Sequence, residues 1–147
     1  MAREEFQFCF PFRVRYAEVD QQQIVFNAHY LTYFDTAITE YFRDLPYDYM
    51  AQVAQLGEDF HTVRSLIDYH APIRFDDDIE VHVRVSRLGR TSVTFALEIY
   101  RIAEDEPCAS GQIVWVNTAQ STHRAAPLPS ALVERVTARE GLAIIAS

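Results

Sequence analysis

Leu31, Phe34, Ile38, Tyr41, Phe42 and Leu45 recur at three- and four-residue steps, the spacing of one face of an α-helix. The opposite face, carrying Thr32, Tyr33, Asp35, Thr36, Thr39 and Glu40, is only weakly polar. A helix this apolar cannot lie on a surface, so the rest of the chain has to cover it. Asn27 suits its N-cap, since the side-chain oxygen can accept from an early helical N–H, and Pro46 stops it. The expected helix therefore runs over 27–45.

The flanking segments change period. Phe6, Phe8, Phe10, Phe12, Val14 and Tyr16 alternate with Gln7, Cys9, Pro11, Arg13 and Arg15, as in a strand with one buried face. Pro11 cannot donate to a ladder, which places that strand at an edge or gives it a bulge. After the long helix, Tyr49, Met50 and Val53 indicate a second short helix ending at Gly57. Four strand-like runs follow: Val63 to Tyr69, Ile79 to Ser86, Val93 to Ile99, and Ile113 to Asn117. Gly89 turns the chain between the second and third, and Pro107 and Gly111 punctuate the approach to the fourth. The tail from Pro129 to Arg139 fits a short helix with Ser130 as its cap. An antiparallel five-stranded sheet wrapped around one long central helix satisfies these patterns, an α+β arrangement. Residues 1–147 are expected to form one domain, without repeat, linker or low-complexity segment. A five-stranded sheet has two open edges and the helix covers only one face, so a homodimer or homotetramer is expected.

Composition narrows the partners. Hydrophobic residues make up 49% and charged residues 23%, a folded globular balance. A net charge of −8 argues against nucleic acid and against anionic membrane surfaces, both of which call for Lys/Arg patches. No apolar run approaches the roughly 18–20 residues that span a bilayer. The acidic start, Met-Ala-Arg-Glu-Glu, lacks the basic opening of a secretory signal. Cys9 and Cys108 make no disulfide framework, which agrees with a reducing, cytoplasmic compartment. His29, His61, His70, His82 and His123 show no local ligand spacing, so no metal site is expected. The triplet Asp76-Asp77-Asp78 lacks the ligand order of a calcium loop and reads as a turn before a strand.

The stretch "RYAEVDQQQIVFNAHYLTYFDTAITEYF" resembles the signature of hot-dog fold acyl-CoA thioesterases of the 4-hydroxybenzoyl-CoA thioesterase type. Tyr16, Asp20, Ile24-Val25, Asn27 and Tyr30 fill the places of an aromatic residue, a catalytic Asp, a hydrophobic pair and an Asn-x-x-Tyr helix opening. Tyr69, Pro72 and Asp77 or Asp78 match the pattern of the family's later strand block. One departure stands out: Gln23 occupies a loop position where the family usually has Gly.

The resemblance implies hydrolysis of an acyl-CoA or acyl-carrier-protein thioester. That reaction needs a carboxylate near the carbonyl carbon and N–H donors for the developing oxyanion, and a helix N-terminus supplies the donors. Asp20 is the expected nucleophile or general base, and Asn27 the position whose backbone N–H polarises the carbonyl. Asp20 also suits a turn, and Asn27 a plain cap. Phe26 and Tyr30 are candidate acyl contacts. By the same resemblance His61, Arg64 and Ser65 lie on a strand that lines a partner's site. Arg87 and Arg90, flanking Gly89, are candidates for the coenzyme A phosphates. No cofactor is expected beyond the coenzyme A of the substrate. A non-catalytic acyl-CoA binding or sensing module on the same fold is the alternative. A hot-dog dehydratase would need a His paired with a helix carboxylate, and no such motif stands at the helix opening.

Overall fold

The computed structural model describes residues 3–146. Its elements run β1 (Cys9–Arg13), α1 (His29–Asp44), α2 (Tyr49–Leu56), β2 (Glu58–Tyr69), β3 (Asp78–Leu88), β4 (Ser92–Arg101), β5 (Ala109–Ala119) and α3 (Ser130–Glu140). The five strands form one sheet in the order β1-β3-β4-β5-β2, so β1 and β2 are the edges. β1 pairs antiparallel with β3, from Cys9 opposite His82 to Arg13 opposite Asp78. Pro11 lies opposite Glu80 on this edge strand, where its missing N–H costs no internal ladder bond.

The chain packs as two compact units, one of residues up to Tyr41 with Ile67–Val83 and Leu97–Gly111, the other of Phe42–Leu66, Arg84–Ala96 and the residues from Gln112 onward. In the first, Phe34, Ala37, Ile38 and Tyr41 of α1 have no exposed surface, and Ile73, Ile79, Val81, Val83 and Ile99 are equally buried. Phe12 lies 5.4 Å from Tyr33 and Phe8 5.8 Å from Tyr41, ring centre to ring centre. The second unit centres on Trp115, stacked on Phe42 at 5.8 Å and met edge-on by Phe95 at 5.0 Å. Each such aromatic pair adds about 0.5–1.5 kcal/mol beyond its buried area.

Several boundaries differ from the sequence expectation. The first ladder spans Cys9–Arg13 and not the whole alternating run, because the chain bends into a 3-10 turn at Tyr16–Glu18. There the Arg15 N–H donates to the Glu18 carboxylate at 2.8 Å, and Tyr16 is left 80% exposed. α1 opens at His29, two residues after Asn27, and ends at Asp44. Leu31, expected on the core face, is 41% exposed, whereas Tyr33, expected on the polar face, is buried. The Tyr33 hydroxyl is satisfied there by the Glu18 carboxylate at 2.9 Å, which a periodicity pattern cannot anticipate. β2 begins at Glu58 and is longer than its alternating part; most of its side chains are exposed, so hydrophobic alternation does not mark its full length. β5 takes in Gly111, a residue expected to punctuate the approach to that strand. Pro129, not Ser130, precedes the first turn of α3, and no side chain caps it. α2 is as expected: Asp48 accepts from the Ala51 N–H at 3.1 Å, and Gly57 ends the helix at φ 65°.

Candidate active site

The segment between β1 and α1 is a short hairpin that presents Asp20. Val19 bridges Val25, and the Asp20 N–H donates to the Ile24 carbonyl at 2.9 Å. The tip is a turn in which the Gln23 N–H donates to the Asp20 carbonyl at 2.9 Å. One carboxylate oxygen of Asp20 accepts from the Gln22 N–H at 2.8 Å, and the other has no hydrogen-bond partner among the described residues. The turn role and the catalytic role of Asp20 are therefore compatible. The hairpin is held to its surroundings by backbone bonds from Val25 to Ile73 (2.7 Å) and from Phe26 to Glu18 (2.9 Å).

Gln23 explains the family's preference for glycine at its position. Its φ is +65°, the left-handed conformation that closes a three-residue hairpin loop. For an L residue this costs about 1–2 kcal/mol, while glycine loses about 0.5–1 kcal/mol more chain entropy on folding. Gln23→Gly should therefore raise stability by about 0.5 kcal/mol, and Gln23→Val, with a branched β-carbon, should lower it. Urea midpoints of the two variants check this; a loss of stability in Gln23→Gly would contradict it.

Glu18 anchors the start of the hairpin. It is buried, and it accepts from the Arg15 guanidinium at 2.8 and 3.1 Å as well as from Tyr33. Burial pushes the Glu18 carboxyl up, but the hydrogen bonds and charge of Arg15 and the Tyr33 hydroxyl outweigh it and hold the group below the usual carboxylate range. The lowered value means that Glu18 contributes stability above the unfolded carboxylate value of about 4.3, which is lost as pH falls through the folded value. Glu18→Gln should thus be less stable than wild type near neutral pH, by about 1–2 kcal/mol. Thermal melts across pH should show the gap between the two proteins narrowing as pH falls below the usual carboxylate range and closing once Glu18 is protonated in the fold.

A cavity of about 470 Å³ opens beside Asp20, within the range of small-molecule sites. Asp20 and Gln22 line it from the hairpin, Ile24, Val25 and Asn27 from the segment leading to α1, and Tyr30 from the first turn of that helix. The far wall is Tyr69, His70, Ala71 and Pro72, at and just beyond the end of β2. At the mouth of α1 the Asn27 carbonyl accepts from the Tyr30 N–H and from the Tyr69 hydroxyl, both at 3.3 Å. The N–H groups of Asn27 and Ala28 have no hydrogen-bond partner among the described residues, so both are open donors at the positive end of the helix. Burial, aided by neighbouring Cys108 and Tyr69, pushes the Tyr30 phenol up to about 12, so it stays protonated.

Of the candidate catalytic and substrate-binding residues, Asp20, Asn27 and Tyr30 thus share one cavity, which the motif residues Ile24, Val25, Tyr69 and Pro72 also line. Asn27 does so as the residue two positions ahead of α1, not as its immediate cap. Phe26 is 47% exposed, packs edge-on against His29 at 6.1 Å, and does not line this cavity. His61, Arg64 and Ser65 are exposed on edge strand β2 and line neither side of it. Arg87 and Arg90 are exposed on either side of Gly89, and their guanidinium groups have no ion-pair partner among the described residues. Asp76, Asp77 and Asp78 form the turn leading into β3, where Asp77 pairs with Arg101 at 3.2 Å and Asp78 with Arg13 at 3.0 Å. The sequence marks His70 only as a histidine without metal spacing. It lines the cavity, with its Nε2 2.8 Å from the Ser110 hydroxyl. The signal that could have placed it is its position inside Tyr69-x-x-Pro72.

Comparison with known proteins agrees with this geometry. The family model of the thioesterase superfamily matches residues 22–108, more than half of the chain, starting just after Asp20. An acyl-CoA thioesterase, YbgC, from Haemophilus influenzae is 31% identical over 94 residues, 64% of this chain and 69% of that protein. Among solved structures, the PA5185 protein from Pseudomonas aeruginosa is 30% identical with a TM-score of 0.82, covering 93% of this chain and 94% of that one. A thioesterase from Thermus thermophilus, crystallised with coenzyme A and Zn, is 32% identical with a TM-score of 0.79, covering 94% and 97%. The five-stranded antiparallel sheet with its long helix is the hot-dog fold expected from the sequence. By the extent of the family match and the fold, this chain belongs to the thioesterase superfamily.

Proposed function

We propose that the protein hydrolyses acyl-CoA thioesters at the cavity beside Asp20. The observation that carries this reading is that a carboxylate, one oxygen of which has no hydrogen-bond partner among the described residues, and the open N–H donors of a helix N-terminus meet at one small-molecule cavity. The names of relatives support it: the Haemophilus influenzae protein is an acyl-CoA thioesterase, and the Thermus thermophilus one was crystallised with coenzyme A.

In the proposed reaction the thioester carbonyl oxygen points to the Asn27 and Ala28 N–H groups, which stabilise its developing charge. Asp20 takes a proton from water as water attacks the carbonyl carbon, or attacks that carbon itself to give a mixed anhydride that water then opens. In either route the C–S bond breaks, the thiolate leaves and is protonated, and the acid is released. Tyr30, Ile24, Val25 and Pro72 offer the apolar lining that an acyl group needs. The two requirements of the chemistry are met by the chain itself, so the proposal includes no cofactor beyond coenzyme A in the substrate. Arg87 and Arg90, exposed and without an ion-pair partner among the described residues, are proposed to meet its phosphates.

A homodimer or higher homo-oligomer belongs to this proposal. β2 is a twelve-residue edge strand with Val63, Leu66 and Tyr69 exposed by 60%, 42% and 52%, an edge that a second copy would cover. His61, Arg64 and Ser65 would then stand at the partner's site. No helix of the described chain is long and apolar enough to cross a membrane, and Cys9 and Cys108 are free thiols, in line with the proposed cytoplasmic setting.

Purified protein offered aromatic, short-chain and long-chain acyl-CoAs, with free thiol followed by a thiol reagent, tests the activity. Release of thiol from at least one class is the expected result. Tight binding of every class without turnover would replace the hydrolase reading with a binding module.

A further inference from the structure

We propose that Cys9, Glu80 and His82 form a site for one divalent transition-metal ion of the zinc class, separate from the cavity at Asp20. The β1–β3 ladder sets Cys9 directly opposite His82. Strand alternation puts Glu80 on the same face as His82, while Ile79, Val81 and Val83 fill the buried face. One donor atom from each of the three lies within 4.8 Å of the others. His82 Nε2 is 3.2 Å from one Glu80 carboxylate oxygen, and Cys9 Sγ is 3.9 Å from the other. Tetrahedral zinc with ordinary bond lengths separates its ligand atoms by about 3.3–3.6 Å, so only a small side-chain adjustment brings all three onto one ion. Sulfur, imidazole and a single carboxylate form a donor set for zinc, cobalt or nickel and a poor one for calcium or magnesium, which take oxygen ligands.

The ring nitrogen turned toward Glu80 is Nε2, so that nitrogen is the one offered to the ion. His82 is itself only 6% exposed. The ring is wedged between Phe6 at 5.6 Å and Tyr100 at 5.1 Å, so its orientation is fixed before any ion arrives. Cys9 reaches the surface, which leaves the remaining coordination position open to water. Arg3 is the resident counter-cation: its Nε is 3.8 Å from Glu80, and its guanidinium lies over the Tyr100 ring at 4.1 Å. It would have to swing away, so it sets the affinity without providing a ligand. A bound ion would tie edge strand β1 to β3 and leave the hydrolytic cavity untouched.

The test uses the intact chain, freed of metal by a chelator and titrated with Co²⁺ as a spectroscopic probe. One Co²⁺ per chain with a sulfur-to-cobalt charge-transfer band is expected, present in Cys108→Ser and absent in Cys9→Ser. Glu80→Gln should weaken binding on the order of tenfold or more, and Arg3→Ala should tighten it. Zn²⁺ should raise the melting temperature of the wild type but not of Cys9→Ser. Because His82 is buried, the Cys9 and Glu80 variants carry the argument. Absence of the band, its persistence in Cys9→Ser, or an affinity indifferent to Glu80→Gln would overturn the proposal.

Discussion

Asp20→Asn should lower kcat for thioester hydrolysis by about three orders of magnitude, within the range for removing a general base or nucleophile. Asparagine is the informative replacement because its side-chain oxygen can still accept from the Gln22 N–H, the 2.8 Å bond that shapes the hairpin tip. Its melting temperature should therefore match the wild type, and KM should change little. Asn27→Ala should behave differently. The backbone N–H at position 27 survives that change, so activity should fall by less than about tenfold if the main chain does the polarising. Steady-state kinetics with the best acyl-CoA from the panel, alongside thermal melts, separates the outcomes. Turnover that Asp20→Asn leaves intact would remove the carboxylate from the mechanism, and a collapse in Asn27→Ala would move the polarising role to a side chain.

Among the buried polar side chains, a large loss of stability is expected at Asn117, in β5. It has no exposed surface and serves as the hub of a polar network. Its side-chain oxygen accepts from Gln52 at 3.1 Å, and its amide donates to Glu58 at 2.9 Å and to the Pro127 carbonyl at 3.2 Å. Gln52, itself buried, accepts in turn from the Tyr47 hydroxyl at 2.8 Å. Asn117→Ala strands the amide of Gln52 and opens a void beside it. A buried polar group left without its partner costs about 1–3 kcal/mol, and more than one group is orphaned here. A loss of about 3 kcal/mol follows, or a melting temperature lower by roughly 6–12 °C for a chain of this size. Urea unfolding of the variant measures it directly. A loss under 1 kcal/mol would mean that water replaces the side chain and that the network adds little.

The local patterns that depend on neighbours in the chain were legible. The periodicity from Leu31 to Phe42 marked α1, Pro11 marked an edge strand or a bulge, of which the sheet order shows the edge, and Gly57 marked a helix end, which the structure closes with a left-handed residue. Asp20, Asn27 and Tyr30 fall within eleven residues, so one hairpin and one helix turn suffice to bring them to the same cavity. Gln23 was legible as a departure, but not as a left-handed residue, since many residues can occupy a loop and only the closed turn demands φ +65°.

Residues far apart in sequence were not legible, because their meeting depends on strand order and register. His70 reaches the cavity only because β2 ends against the mouth of α1, where the Tyr69 hydroxyl meets the Asn27 carbonyl. Tyr33 looked like a surface residue until the turn at Tyr16–Glu18 delivered a carboxylate to its hydroxyl. Cys9 and His82 stand opposite each other through a ladder that no spacing motif encodes. The amino-acid order alone determined the helix, the strands and the segment that presents the carboxylate, because hydrophobic period and turn chemistry act over a few residues. Which buried polar groups found partners, and which were left open to a ligand, was decided by the folded sheet, because hydrogen bonds act over about 3 Å whatever the separation along the chain.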